Sequence, residues 1–470
     1  MKFYFVFLIL FPALFQWAEE AQYSGFSIVA GKRTTEIGAV MIAHNEDEKG
    51  KDYFVNVHKV QGGAVKKIKG FFWFEIPGGE CGDSYMNESG LVITSNACES
   101  RETRAELSGS GIGGKLGRVL AEQAGTARLA VEIAGQLIEK YGYYASGHSF
   151  AIADTNEAWI LQVVRGKHWV AKRVPEDEMA VVSNRFTIDA IDFNDKLNFK
   201  GAPDIIDYAI RKGWYNPKVN GPFNFTQAYA APESNRDEGN VLREWRAVSL
   251  LAKKKFAPTD SLPFSFKPKT KVELADFFGI LRDHYEDSQF DVTRDSKVDS
   301  PHKTSRRTIC SDATRYSFVA QMRSEPVREI ANILWIAFSC PDSNAYSPWY
   351  FSISTLPEGY TRGNSESVLP EHIPQPASFF RYSPEYAFWS YTRLSHKVEA
   401  SYRTSIKIVR KEWQNFENYL MKMQKKKEKE FTYFLKKNKR IALKLIANYV
   451  AELEYRKWFL ANELIEQLKK

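Results

Sequence analysis

The chain has 470 residues, 44% of them hydrophobic and 26% charged, enough material for one large domain or two. Lysine plus arginine exceed aspartate plus glutamate by eight, and the excess is concentrated in the last 70 residues, so the front of the chain is nearly balanced. No RNA- or DNA-binding motif accompanies that charge, which excludes nucleic acid as the expected partner and leaves the basic tail free only to meet an acidic surface.

Met1 and Lys2 lead into an apolar stretch at 3–17, followed by Ala18 and Ala21. Such a stretch is too short for a helix to cross a hydrocarbon layer of roughly 30 Å, and its flanks predict a signal peptide over 1–21. A secreted or exported protein is expected (extracellular, periplasmic or in a lysosome-like lumen), and not an integral membrane protein once the leader is removed. Short apolar runs at 26–30 and 37–43, split by a polar turn, predict two strands, and 53–60, 71–76 and 90–94 continue the pattern. Apolar residues then recur at helical spacing through 116–141, with a break near Gly125 that predicts two helices, the second capped by Thr126. Strand signals return at 149–154, 159–164, 168–174 and 179–182. Helices are expected at 204–212, 244–254 and 271–284, strands at 317–322 and 333–339, an irregular segment at 340–385, and helices from about 388 to the end. Segregated runs of this kind suit an α+β layered architecture better than alternating βαβ units.

Several local patterns carry less than they first suggest. GSGIGG at 109–114 matches a dinucleotide-binding fingerprint in form, but the charged stretch before it is not a strand, so it reads as a loop feeding a helix. DHYED at 283–287 lacks calcium-loop spacing and reads as a solvated turn at a helix end. His148, His168 and His302 have no partner identifiable in the sequence. Cys81, Cys98, Cys310 and Cys340 show no metal-binding spacing and allow three disulfide connectivities. Asn87 and Asn224 head glycosylation sequons, which matter only in a eukaryotic source. KKKEKE at 425–430 reads as a solvated helix face, with apolar residues behind it that pack onto the body.

A joint pattern is more specific. GFSIVAGKRTT at 25–35 and VMIAHNED at 40–47 are followed by NESGLVITSNACESR at 87–101, VVSNRF at 181–186, REWR at 243–246, RTIC at 307–310 and SPWY at 347–350. Over roughly residues 25–390 this resembles the dipeptidase-A family of cysteine peptidases, relatives of the secernins. The resemblance implies an N-terminal-nucleophile hydrolase, like bile-salt hydrolases and penicillin V acylase: an α+β, four-layer αββα sandwich, here with a C-terminal helical extension. The implied organisation is a leader over 1–21, a hydrolase domain over 22–390 and a helical segment over 391–470.

The same resemblance implies a mechanism without metal or organic cofactor. The first mature residue is a cysteine whose thiolate attacks the amide carbonyl while its own α-amino group handles the proton. Matched position by position, Asp47 corresponds to the aspartate near that amine, Asn96 to an oxyanion-hole amide, and Asn184 to a second polar anchor. Arg246, or else Arg243, corresponds to the late arginine that orders the site. His44 stands where many relatives carry arginine and, with Arg243, is assigned to substrate binding.

The departure is Gly25, which occupies the cysteine position and offers no nucleophile. Cleavage after Tyr23 makes Ser24 terminal as a substitute, although a one-residue shift in a strand turns a side chain to the opposite face. Ser27 faces the same way as residue 25 but lies about 6–7 Å further along and has no free amine. The expected function is a dipeptidase-like hydrolase of short peptides with an altered or lost nucleophile. Its alternatives are a catalytically silent peptide- or amide-binding protein and an acyl-amide hydrolase of the bile-salt or penicillin type. Oligomeric state is not legible.

Overall fold

The structure is a computed structural model that describes residues 25–48, 54–63, 68–76, 84–104, 106–325, 327–362 and 381–469. The segment expected to be a leader, Ser24 and Cys81 lie outside the described residues. The first sheet-forming strands are β1 (Phe26–Ala30), β2 (Val40–Asp47), β3 (Asn56–Val60), β4 (Phe71–Glu75), β5 (Ser84–Asn87) and β6 (Val92–Ala97). Helices α1 (Lys115–Gln123) and α2 (Ala127–Tyr141) follow, then β7 (Tyr143–Ala153), β8 (Ala158–Gly166), β9 (Trp169–Val174), β10 (Met179–Val182) and β11 (Phe199–Gly201). Next come α3 (Ile205–Arg211), α4 (Phe225–Tyr229), α5 (Pro232–Asn235), α6 (Glu238–Leu251) and α7 (Leu274–Leu281). The chain finishes with β12 (Thr314–Met322), α8 (Arg328–Ala331), β13 (Asn332–Phe338), β14 (Ser347–Tyr350), α9 (Ala387–Ala400), α10 (Tyr402–Lys437) and α11 (Lys439–Gln467).

The strands form two antiparallel sheets. One has the order β10-β1-β2-β12-β13-β14, the other β11-β9-β8-β7-β6-β5-β4-β3. The sheets face one another, with β1 against β6 and β2 against β7. Helices α1 and α2 cover the eight-stranded sheet, while α7, α9, α10 and α11 cover the six-stranded one. The result is the expected αββα layering. Strands β1 and β2 are buried on both faces, which is why they read as nearly continuous apolar runs instead of alternating ones.

The predicted break in 116–141 is real. Thr126 is the N-cap of α2, its side chain accepting from the Leu129 amide, which satisfies one of the orphan donors of the first turn. Strands β5, β11 and β14 were not legible as strands. The segment expected to be irregular contains β14, whose Trp349 and Tyr350 are completely buried.

The boundary expected at 390 falls inside α9, and the three last helices share the hydrophobic core of the sheets. Glu454 and Lys457 of α11 form an ion pair of 2.9 Å with both side chains 1% exposed. Trp349 Nε1 donates to the same Glu454 at 2.8 Å, across more than a hundred residues. A buried pair of this kind is costly to break, about 3–5 kcal/mol if one partner is removed. Among the described residues, no helix is long and apolar enough to cross a membrane. Asn87 has no exposed surface and donates to the carbonyls of Ala121 and Ala124, so in the folded chain it has no room for a glycan. Asn224 is half-buried and caps α4.

Candidate active site

The register of β1 on β2 places Ser27 directly opposite His44. Because strand side chains alternate, Gly25 and Ser27 share one face, as do His44 and Glu46. That face looks across to β6, which supplies Thr94 and Asn96 at the same two-residue spacing. Five polar side chains therefore meet between the sheets. Ser27 Oγ lies 2.8 Å from His44 Nδ1, and His44 Nε2 lies 3.0 Å from Glu46 Oε2. A carboxylate at Nε2 accepts, so Nε2 carries the ring proton and the Nδ1 lone pair receives the serine hydroxyl. Asn96 Nδ2 donates to Ser27 Oγ at 3.1 Å, and Thr94 Oγ1 is 3.2 Å away. Burial drives the pKa of His44 down to about 3, partly offset by a backbone hydrogen bond at Phe26, so the ring is neutral.

A second cluster sits beyond the other face of β2. Asp47 Oδ2 accepts from Arg307 Nη2 at 2.9 Å and lies 4.0 Å from Arg243 Nη1, while Asp47 Oδ1 accepts from Thr314 at 2.7 Å. Asn184 Oδ1 receives both Arg243 at 2.8 Å and Arg307 at 3.0 Å, and its Nδ2 donates to the carbonyl of Ala97, at the end of β6. Two arginines side by side underground repel one another. Burial, then the charge of Arg307, lowers Arg243 to about 9 despite Asp47. Asp47 is what makes the pair tolerable, since a buried charge needs a partner.

Helix α6 fixes this second cluster. Its Glu244 accepts from the Ser183 hydroxyl at 2.9 Å and pairs with Arg185 at 2.8 Å, so it grips both neighbours of Asn184. Arg243 and Arg246 are three residues apart on α6, about 60° apart around its axis, and they diverge. Arg243 Nη1 donates to the carbonyl of Gly25 at 3.2 Å. Arg246 instead makes a two-pronged pair with Asp283, at 2.8 Å for each bond.

Gly25 joins the two clusters. It takes a left-handed φ of +49°. A Cβ built on it would stand 2.2 Å from Asn96 Oδ1 and 2.8 Å from His44 Cε1. The Asn96 side chain thus occupies the volume that a side chain at residue 25 would need. The structure brings Gly25, His44, Asn96, Arg243, Asn184 and Asp47 into one connected network. It leaves Arg246 outside, and Ser24 lies outside the described residues.

Sequence reasoning did not single out Arg307, Glu46 or Thr94. Arg307 sits in a quoted motif, yet nothing in its spacing says that it reaches Asp47 across 260 positions. The turn at 283–287 is the clearest correction. It was expected to be solvated, but Asp283, His284 and Tyr285 are buried. His302 is not solitary either, since its Nε2 lies 2.8 Å from that of His284.

Comparison with known proteins adds an independent line. A family model described as Peptidase family C69 matches residues 106–415. A probable dipeptidase of Latilactobacillus sakei is 25% identical over 403 residues, covering 80% of this chain and 81% of that protein. A probable dipeptidase of Salmonella dublin is 26% identical, covering 72% and 83%. Dipeptidase A of Lactobacillus helveticus is 29% identical over 232 residues, covering 49% and 48%. Among solved structures, a mutant conjugated bile acid hydrolase from Clostridium perfringens is 12% identical with a TM-score of 0.36, covering 69% of this chain and 92% of that one. Penicillin V acylase from Agrobacterium tumefaciens is 14% identical with a TM-score of 0.30, covering 66% and 82%.

Proposed function

The chain belongs to Peptidase family C69, and on that premise we propose that it is a dipeptidase-like amide hydrolase acting on short peptides with Ser27 as its nucleophile. The observation that carries this reading is the relay of Ser27, His44 and Glu46, with successive separations of 2.8 and 3.0 Å. A nucleophile within reach of a base that a third group orients is the arrangement covalent catalysis requires. In this scheme Ser27 Oγ attacks the amide carbonyl as its proton passes to His44 Nδ1, and the imidazolium is held against Glu46. Asn96 Nδ2 faces the developing oxyanion. His44 then gives the proton to the leaving amine, and water cleaves the acyl-serine. Ser27 and His44 are fully buried, with Asn96 packed on Gly25 beside them, so this scheme requires the packing to open for substrate to enter. The names of the relatives, dipeptidases, support the substrate class.

The packing of Asn96 onto Gly25 also favours a second reading, a silent binding protein that holds short peptides at Arg243, Arg307 and Asn184. One assay separates the two. The protein with its leader removed is offered a dipeptide panel and the products are measured by mass spectrometry. The relay requires that Ser27→Ala and His44→Gln each lower kcat/KM by at least about a thousandfold while Ser24→Ala does not. Turnover that survives Ser27→Ala but not Ser24→Ala assigns the nucleophile to the chain terminus. Saturable dipeptide binding without turnover supports the silent protein, and turnover of acyl amides alone supports the third expectation.

Export belongs to the same proposal and rests on the apolar segment at 3–17. N-terminal sequencing of protein recovered outside the cytoplasm tests it. A first residue of Glu19, Gln22 or Ser24 is the expected outcome, and recovery of intact Met1 overturns it.

A further inference from the structure

Outside the network around Gly25, four chain segments deliver side chains of a different chemistry to one point. His284 follows α7, His302 lies in a short helical turn at 301–303, Cys310 precedes β12, and Asp342 follows β13. One donor atom from each of the four lies within 4.8 Å of every other. His284 and Cys310 have no exposed surface and Asp342 is 2% exposed, while His302 is half-buried as a residue with its side chain 1% exposed.

The orientation of the two rings is the informative part. His284 Nε2 and His302 Nε2 face each other at 2.8 Å. Asp342 Oδ2 lies 3.8 Å from both. The outer nitrogens are each held by a carboxylate, His284 Nδ1 by Glu286 at 3.3 Å and His302 Nδ1 by Glu399 at 2.5 Å. A carboxylate can only accept, so each Nδ1 carries a proton and each ring turns its Nε2 inward. The two Nε2 atoms, a sulfur and a carboxylate oxygen thus converge on one buried point, which a shared proton or a metal ion can fill. Carboxylates behind imidazoles are also the outer support that metal-bound histidines use to fix tautomer and direction.

We propose that His284, His302, Cys310 and Asp342 form a buried site for a divalent transition metal of the zinc type, closed around the ion and structural in role. The donor set of two imidazoles, one thiolate and one carboxylate is what a borderline-soft ion takes in tetrahedral geometry. Bonds of about 2.0–2.3 Å put neighbouring donors about 3.3–3.6 Å apart, between the 2.8 and 3.8 Å found here, so the rings part by about half an ångström. Asp342 is held in place by the Tyr402 hydroxyl at 2.7 Å and the Cys340 thiol at 3.2 Å. Cys340 Sγ stands 3.5 Å from Cys310 Sγ, so the competing chemistry at this spot is a disulfide. In that reaction the two thiols lose two protons and two electrons to an oxidant, and the ion loses its sulfur ligand.

The ion would clamp four segments at once, including the loop 302–310 that carries Arg307. The test is the metal content of the full-length protein, expressed with zinc in the medium and desalted. About one zinc per chain is expected by elemental mass spectrometry, and His302→Ala should lower retention at least about tenfold, while Cys98→Ala, at a buried thiol outside the cluster, keeps it. Because His302→Ala risks misfolding, cobalt(II) alone is also offered to the metal-stripped wild type. Thiolate-to-cobalt charge-transfer absorption is expected there. Wild-type protein that holds no zinc and shows no such absorption overturns the site, as does His302→Ala that keeps its zinc. An intact mass that shows Cys310 joined to Cys340 in the isolated protein overturns it as well.

Discussion

Replacing Gly25 by alanine tests the packing at the centre of the network. The residue has a φ of +49°, a left-handed conformation that costs a residue with a Cβ about 1–2 kcal/mol. The added carbon meets Asn96 Oδ1 at 2.2 Å and His44 Cε1 at 2.8 Å, overpacking that costs about 1–3 kcal/mol. The sum is a destabilisation of about 2–5 kcal/mol. For a domain of this size the unfolding entropy is about 0.9 kcal/mol per kelvin, so Tm falls by about 2–5 °C. The strain belongs only to a chain in which residue 24 is still attached, because a terminal residue has no preceding carbonyl to clash with. The contact with Asn96 remains in either form. Scanning calorimetry of Gly25→Ala, Asn96→Ala and the double variant separates the two contributions. Asn96→Ala should recover about 1–2 kcal/mol of the loss as non-additivity. A Gly25→Ala protein with unchanged Tm, or strictly additive variants, would refute the claim that Asn96 fills the place of a side chain at residue 25. The same crowding makes Gly25→Cys a poor restoration of a thiol unless Asn96 moves.

Other expectations are independent of that one. Asp47→Asn leaves Arg243 and Arg307 without a counter-charge and should cost about 3–5 kcal/mol in urea unfolding; a loss under 1 kcal/mol would mean that the arginines are solvated. Arg243→Met should weaken dipeptide binding or turnover by about a hundredfold or more, whereas Arg246→Met should act on Tm alone, since its partners, Asp283 and the Glu286 carbonyl, lie outside the network. Equal effects on KM from both variants would erase the distinction drawn between them. His148 is buried against Tyr143 and Phe150, and burial lowers its pKa to about 4. The unfolded ring takes up a proton from about pH 6.5 downward while the folded one stays neutral. Its contribution is therefore intact above pH 6.5 and is lost as the pH falls toward 4, by about 2 kcal/mol at pH 5. His148→Phe should flatten the stability profile between those limits, and an unchanged slope by calorimetry would contradict this.

Much of the layout was legible because strands β1, β2, β6 and β10 have long apolar runs ending in polar residues, and helix α2 has both a clear period and a cap. What escaped was short or distant. Strand β14 has four residues and its Pro348 and Trp349 resemble loop composition; its antiparallel pairing with β13, under α11, makes it a strand. The polar residues near the nucleophile position were readable because they close strands in recognisable motifs. Which arginine enters was not, since Arg243 and Arg246 sit on one helix and only the placement of Asp283 decides between them. His284 and His302 stay invisible for the same reason: their meeting depends on a turn whose path no local spacing encodes.

Strand β2 has a consequence for how this protein reaches its native state. Its neighbours on the two sides are β1, next to it in the chain, and β12, where Asn45 pairs with Ser317. The polar heart of the molecule is therefore bracketed by segments far apart in the chain, with Asn45 and Ser317 separated by 272 positions. Closing so wide a loop must precede any reward from the contacts it brings, which makes assembly slow. Until the later strands arrive, β2 has one bare hydrogen-bonding edge, open to the wrong partner.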